Sequence, residues 1–145
     1  MADQAARERA LGLVLELVVL LGQDMSKRLE QDHLSDSRAG VLWTIRQQGP
    51  MTQRELAAAR HVTPRNVTGL VDGLEAAGLV RRTPHPTDRR ATLVELTGAG
   101  TDIVERLERE QLEFTTLLFD GMPQEQFESL TRGLDEIVGR IKGAL

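Results

Sequence analysis

The stretch from Thr52 to Thr97 constrains this chain more than any other. It holds Thr52-Gln53-Arg54-Glu55, then TPRNVTGLVDGLEAAGLVRR, then the loop PHPTDRR and the alternating run ATLVEL. Thr52 and Glu55 have the spacing of a capping box, in which Thr52 accepts from the Glu55 N–H and the Glu55 carboxylate reaches back. Leu56 and the alanines that follow give this short helix a small-residue face. His61-Val62 makes the turn. Thr63 then caps a second helix whose first position is Pro64, where a missing N–H costs nothing. Val67, Leu70, Val71 and Leu74 follow the three-four spacing of a buried stripe, and Gly78 falls where a helix takes a left-handed terminator. Leu79 to Thr83 and Ala91 to Leu96 read as strands, with Pro84, Pro86 and Thr87-Asp88 turning the loop between them. This order of helix, turn, helix and hairpin is a winged helix-turn-helix.

The flanks read as helical scaffold. The first helix is predicted over Asp3 to Gln31, apolar nearly all round from Leu11 to Leu21, which is the pattern of a helix enclosed on several sides. In a chain of 145 residues that points to a subunit interface. The apolar run is too short to span a bilayer, which takes about 20 residues. Asp3, Glu8 and Glu16 also make it a poor signal peptide, so a cytoplasmic protein with no membrane partner is expected. Ser35 is placed to cap a second helix carrying Ala39, Leu42, Trp43 and Ile45, stopped by Gly49-Pro50. After Thr97-Gly98 a long helix runs through Ile103, Val104, Leu107, Phe114, Leu117 and Leu118. Gly121 and Pro123 separate it from a last helix whose Phe127, Leu130, Leu134, Ile137 and Ile141 form a heptad seam. The fold class is mainly α with a small β-hairpin wing. A single domain over 1–145 is expected, with a DNA-binding lobe over 35–97 and helical dimerisation regions over 1–34 and 98–145.

Charge needs a closer look, because a formal net charge of −4 is unusual for a DNA binder. From Thr52 to Arg90 the seven arginines outnumber the four acidic residues, and the remainder of the chain is acidic. Non-specific affinity for DNA follows the local patch rather than the total. A helix fits the major groove and reads bases from its N-terminal residues. There Arg65 suits guanine O6 and N7, Asn66 suits adenine N6 and N7, and Thr68 suits a thymine methyl or a phosphate. Thr63 and the free N–H groups beside it suit a phosphate. Each of these residues also fits an ordinary polar helix face, and the wing decides between the two readings. Arg81, Arg82, Arg89 and Arg90 crowd one hairpin and repel unless an anion satisfies them. Arg89 and Arg90 sit at the tip, suited to a narrow minor groove, and Asp88 is placed to orient Arg90.

LEAAGLVRR, the DRR turn followed by LVELTGAG, and the TQRELA phrase together resemble the MarR family of bacterial transcription regulators, over essentially the whole chain. The resemblance implies an obligate, triangular homodimer with intertwined terminal helices and two recognition helices on one face. It also implies that Arg90 is the wing arginine of the minor groove and Asp88 its structural partner. Gly69 departs from the basic residue common near that position. The expected function is sequence-specific binding of a pseudo-palindromic double-stranded operator, with repression relieved by a small aromatic effector. Met25, Arg28, His33 and Trp43 are the candidate effector residues, although a Trp on an apolar helix face also fits a plain core position.

Other chemistries find little purchase. The chain has no Cys, which excludes disulfides and thiol-based sensing. His33, His61 and His85 share no metal-ligand spacing and are expected at the surface, so neither a metal nor a cofactor is anticipated. No nucleophile, base and orienter come together, so an enzyme is not expected and no catalytic residue is assigned. The rival reading is a winged-helix dimer acting as a protein-interaction adaptor.

Overall fold

The computed structural model describes all 145 residues. Their order is α1 (Gln4–Glu30), α2 (Asp36–Gln48), β1 (Met51–Thr52), α3 (Gln53–Arg60), α4 (Pro64–Ala76), β2 (Val80–Pro84), β3 (Thr92–Leu96), α5 (Gly98–Phe119) and α6 (Gln124–Ala144). The mainly helical class with a small β wing is what the sequence implies. The chain divides into two compact units, 1–105 and 106–145, with the division inside α5.

Helix starts follow from their capping residues. Asp3, Ser35, Thr52 and Thr63 each sit in extended backbone, and each side chain accepts from the N–H three residues on. Helix ends are equally local. Gly78, at φ 76°, donates its N–H to the Glu75 carbonyl, and Leu79 donates to Leu74. This is the left-handed Schellman closure that glycine favours. His33 and His61 fill the same position after α1 and α3, at φ 54° and 53°, in a conformation a side chain adopts at some cost.

The core of the first unit lies among α2, α3, α4 and the sheet. Leu29, Val41, Leu42, Leu56, Val67, Val71, Leu74, Val80, Val94 and Val104 are fully enclosed. Leu70, predicted in the buried stripe, is only half-covered, and Val41 joins the α2 face instead. The alternation 92–94–96 places Val94 in the core, while Thr92 at the hairpin's open end is exposed and Leu96 half-covered.

The sheet has three strands in the order β1-β3-β2, all antiparallel. The hairpin strands begin and end one residue from the expected positions, apart from the shared end at Leu96. The strand β1 was not expected, because two residues carry no periodicity. Met51 faces Val94 across the ladder and is itself buried. The start of α5 is stitched back to the hairpin. Thr97 Oγ1 donates to the Gly78 carbonyl at 2.6 Å and accepts the Gly100 N–H. Gly100 is there because nothing larger fits: a Cβ on it would collide with the Leu79 carbonyl oxygen.

The apolar run of α1 stays uncovered within the chain. Leu11, Leu13, Leu15, Leu17, Val18, Val19, Leu20 and Leu21 are all exposed. The seam on α6 is likewise open, with Phe127, Leu130, Leu134, Ile137 and Ile141 between 37% and 54% exposed. In the second unit, Phe119 and Phe127 meet edge to face at 5.4 Å and pin the α5–α6 turn.

Candidate nucleic-acid interface

The N-terminal tip of α4 is a free polar end. Thr63 Oγ1 accepts the Asn66 N–H at 3.1 Å, which fixes the first turn and leaves the hydroxyl proton to donate outward. Arg65 and Asn66 are exposed, and neither side chain has a hydrogen bond or ion pair within the chain. Their fork geometries are therefore available to a ligand.

Thr68 is less free than its sequence position suggests. Its hydroxyl donates to the Pro64 carbonyl at 2.9 Å and accepts from Gln53 Nε2 at 3.0 Å. With the proton and one acceptor site engaged, the contact it offers outward is chiefly its methyl group. Gly69 is exposed, with nothing within 4 Å of the place a Cβ would take, and contributes no charge.

Gln53 and Arg82 turn out to matter more than the sequence showed. The other end of Gln53, its Oε1, accepts from Arg82 Nε at 3.0 Å and from a terminal nitrogen at 2.9 Å. Arg82 also pairs with Asp72 at 2.5 Å and with Glu75 at 2.9 Å, and its backbone N–H donates to the second Glu75 oxygen. Burial works against the guanidinium charge, but the hydrogen bonds to Asp72 and Glu75 and their negative charges outweigh it. The Arg82 pKa is therefore raised above its ordinary value. The fork geometry of arginine is what lets one side chain hold three partners. The first turn of α3, the outer face of α4 and the start of the wing are thereby joined.

The wing's charge is redistributed relative to expectation. Of its four arginines, Arg82 is neutralised as described and Arg81 pairs with Glu95 across the strands at 2.6 Å. Arg89 and Arg90 alone remain exposed and without a partner in the chain. Asp88 does not orient the Arg90 guanidinium, as the sequence suggested. Its Oδ1 accepts the Arg90 backbone N–H at 2.9 Å, and its own carbonyl accepts the Ala91 N–H. A carboxylate two residues away is well placed for the backbone, and this leaves the guanidinium free to point elsewhere. His85 is no passive surface residue either, because its ring nitrogen accepts backbone N–H groups of the turn.

The four candidate effector residues lie at the end of α1, in the turn after it and on α2. Met25 and His33 are exposed and Trp43 is half-buried. Arg28 pairs with Asp24 one turn earlier, at 2.6 Å. A shallow cavity runs along α1, bordered by Val18, Gly22, Gln23 and Lys27, and none of the four lines it.

Similar proteins bear on this geometry. The MarR family model matches residues 34–92, the segment carrying α2 to the first residue of β3. The HTH-type transcriptional regulator ML2140 of Mycobacterium leprae is 33% identical over 115 residues, covering 79% of this chain and 78% of that protein. The HTH-type transcriptional repressor IacR of Pseudomonas putida is 28% identical over 115 residues, covering 79% of this chain and 69% of the repressor. Among solved structures, the S. aureus MepR–DNA complex superposes with a TM-score of 0.75 at 24% identity, over 89% of this chain and 97% of that one. The shared fold, the matched segment and the relatives agree: this chain belongs to the MarR family of winged helix-turn-helix transcription regulators.

Proposed function

We propose that the protein is a sequence-specific DNA-binding repressor that acts as a homodimer. The observation that carries this reading is the contrast in charge pairing. Arg81 and Arg82 are consumed inside the fold, whereas Arg65, Asn66, Arg89 and Arg90 are left exposed without partners at the α4 tip and the wing tip. Arg65 and Asn66 would read base edges in the major groove, Arg90 would enter the minor groove with Arg89 beside it, and Thr63 would hold a phosphate. Asp88 supports the wing through the Arg90 backbone. Similarity to the repressor IacR and to the DNA-bound MepR favours the same function.

Dimerisation would use regions 1–34 and 98–145, with 35–97 as the DNA-binding lobe. The support is the uncovered apolar surface of α1 and α6, more than a monomer normally leaves to water. A two-fold dimer reads a pseudo-palindrome with half-site centres about one helical turn, ~10 bp, apart. Such a protein works in the cytoplasm and performs no catalysis. Release by a small aromatic effector belongs to the same proposal. Trp43 offers a half-buried indole face for stacking, and Met25, Arg28 and His33 offer an apolar contact, a cation and an imidazole.

The test is selection of bound duplexes from fragmented genomic DNA, repeated with candidate aromatic acids present. Enrichment of one palindromic motif, weakened steeply by salt, is the expected result. Recovery of no motif, or binding indifferent to salt, would overturn the proposal and favour the adaptor reading.

A further inference from the structure

The wing tip is a closed circuit of hydrogen bonds with a histidine in it. Between Pro84 and Thr92, the His85 N–H donates to the Ala91 carbonyl at 3.2 Å, and the Ala91 N–H donates to the Asp88 carbonyl at 3.1 Å. The Arg90 N–H donates to Asp88 Oδ1 at 2.9 Å. Inside this frame the Thr87 and Asp88 N–H groups both point at His85 Nδ1, at 3.2 and 3.0 Å. The Thr87 hydroxyl lies 3.4 Å from the same nitrogen.

A backbone N–H can only donate, so Nδ1 must supply the lone pair. The ring then carries its proton on Nε2 and no charge. In an Asx-turn an Asn or Asp side chain accepts a following backbone N–H group. Here an imidazole does so, and unlike the amide of Asn, an imidazole nitrogen stops accepting once it takes up a proton.

We propose that His85 is a positioning residue for the wing, whose neutral imidazole locks the 85–91 turn that presents Arg89 and Arg90, and whose protonation unlocks it. The charged groups of the tip are Asp88, Arg89 and Arg90. On the paired strands they are Arg81 and Glu95, bonded to each other, and Arg82, bonded to Asp72 and Glu75. The neighbours Pro84, Ala91 and Thr92 are neutral. Protonation acts twice in the same direction. It turns Nδ1 from acceptor to donor, orphaning two N–H groups, and it offers the Asp88 carboxylate a cation that competes with the Arg90 N–H. The lock itself is a property of the free protein. Its consequence for DNA rests on the function proposed above.

The experiment is amide-proton exchange by NMR on the 15N-labelled full chain between pH 8 and pH 5.5, for wild type, His85→Asn and His85→Ala. After correction for intrinsic exchange, wild-type protection at Thr87 and Asp88 should fall several-fold as the His85 ring protonates, tracking the ring's own Cε1–H shift. His85→Asn should keep that protection at every pH and His85→Ala should lack it throughout, with Val71 and Val94 unchanged as reporters of the fold. Equal protection in His85→Ala and wild type, or the wild-type pH profile persisting in His85→Asn, would overturn the lock. Anisotropy titrations then compare a selected operator with random duplex. The operator preference should fall several-fold on acidification in wild type and stay constant in His85→Asn. A constant wild-type preference despite an open turn would refute the role in presenting Arg90. Wild type binding no duplex at either pH would sink the DNA-binding reading, while the exchange data still decide the lock.

Discussion

Arg82 shows how far a residue's neighbours decide its role. In the sequence it is one of four arginines on a hairpin, whose mutual repulsion calls for something anionic. In the fold it is a tie between α3, α4 and β2, held by Gln53, Asp72 and Glu75. Losing a charged group from a half-buried network costs about 1.5–3 kcal/mol. Arg82→Ala should therefore lower the unfolding free energy by about that amount in a urea titration. An unchanged midpoint and slope would show the network to be incidental. Because its pKa is raised, the Arg82 contribution is present across the neutral range and is lost only as the pH rises through that elevated value, in strong base. Arg65→Ala or Asn66→Ala should behave differently. Stability should hold within about 0.5 kcal/mol, as for exposed sites in general. Operator affinity should drop by about 1–3 kcal/mol, with base preference relaxed at one position per half-site, as a gel-shift series on single-base operator variants would reveal. The exposed tip of α4 could be read from the sequence because Thr63-Pro64 fixes where the helix starts. The pairing of Gln53 with partners 15 and 29 residues away could not, since nothing local marks it. Asp72 and Glu75, three apart on one helix face just ahead of the Arg82 strand, were the available hint.

Elements here are bounded by short-range chemistry, which is why their limits were largely legible. Ser35, Thr52 and Thr63 are caps that the sequence already names, and each makes the predicted bond. Thr63→Ala removes the cap of the recognition helix and should cost about 1 kcal/mol in thermal or chemical unfolding. A Thr63→Asn variant should recover most of that loss, and failure to do so would mean the cap geometry is not what stabilises the turn. The start of α5 carries a stricter requirement. Gly100 lies against the Leu79 carbonyl, so Gly100→Ala forces backbone apart and should destabilise by about 1–3 kcal/mol despite alanine's better helix propensity. A neutral or stabilising effect in differential scanning calorimetry would contradict that close approach. The third strand was not legible because two residues leave no alternation to detect. It exists because Met51 has a buried place opposite Val94, which is a tertiary fact. The two left-handed histidines escaped for a related reason: glycine announces such a position, and histidine does not.

Across the whole molecule, the chain leaves much of its apolar surface uncovered at both ends. The eight exposed aliphatic residues from Leu11 to Leu21 and the open α6 seam would be costly to keep in water, at about 25 cal/mol for each Å² of apolar area. No helix is long and apolar enough to cross a membrane. A second copy of the chain is the partner that suits the proposed function, because it also sets the spacing of two recognition helices. Its sequence signal was the all-round apolar pattern of the first helix and the heptads of the last. Leu134→Asp combined with Ile137→Asp should leave the first unit folded by circular dichroism yet give a monomer in light scattering. The most direct test is native mass spectrometry of the protein with its selected operator, beside a duplex carrying one half-site. The account predicts two 16.1 kDa chains on each full site and little stable complex on the half-site. One chain bound to either duplex with equal affinity would contradict it.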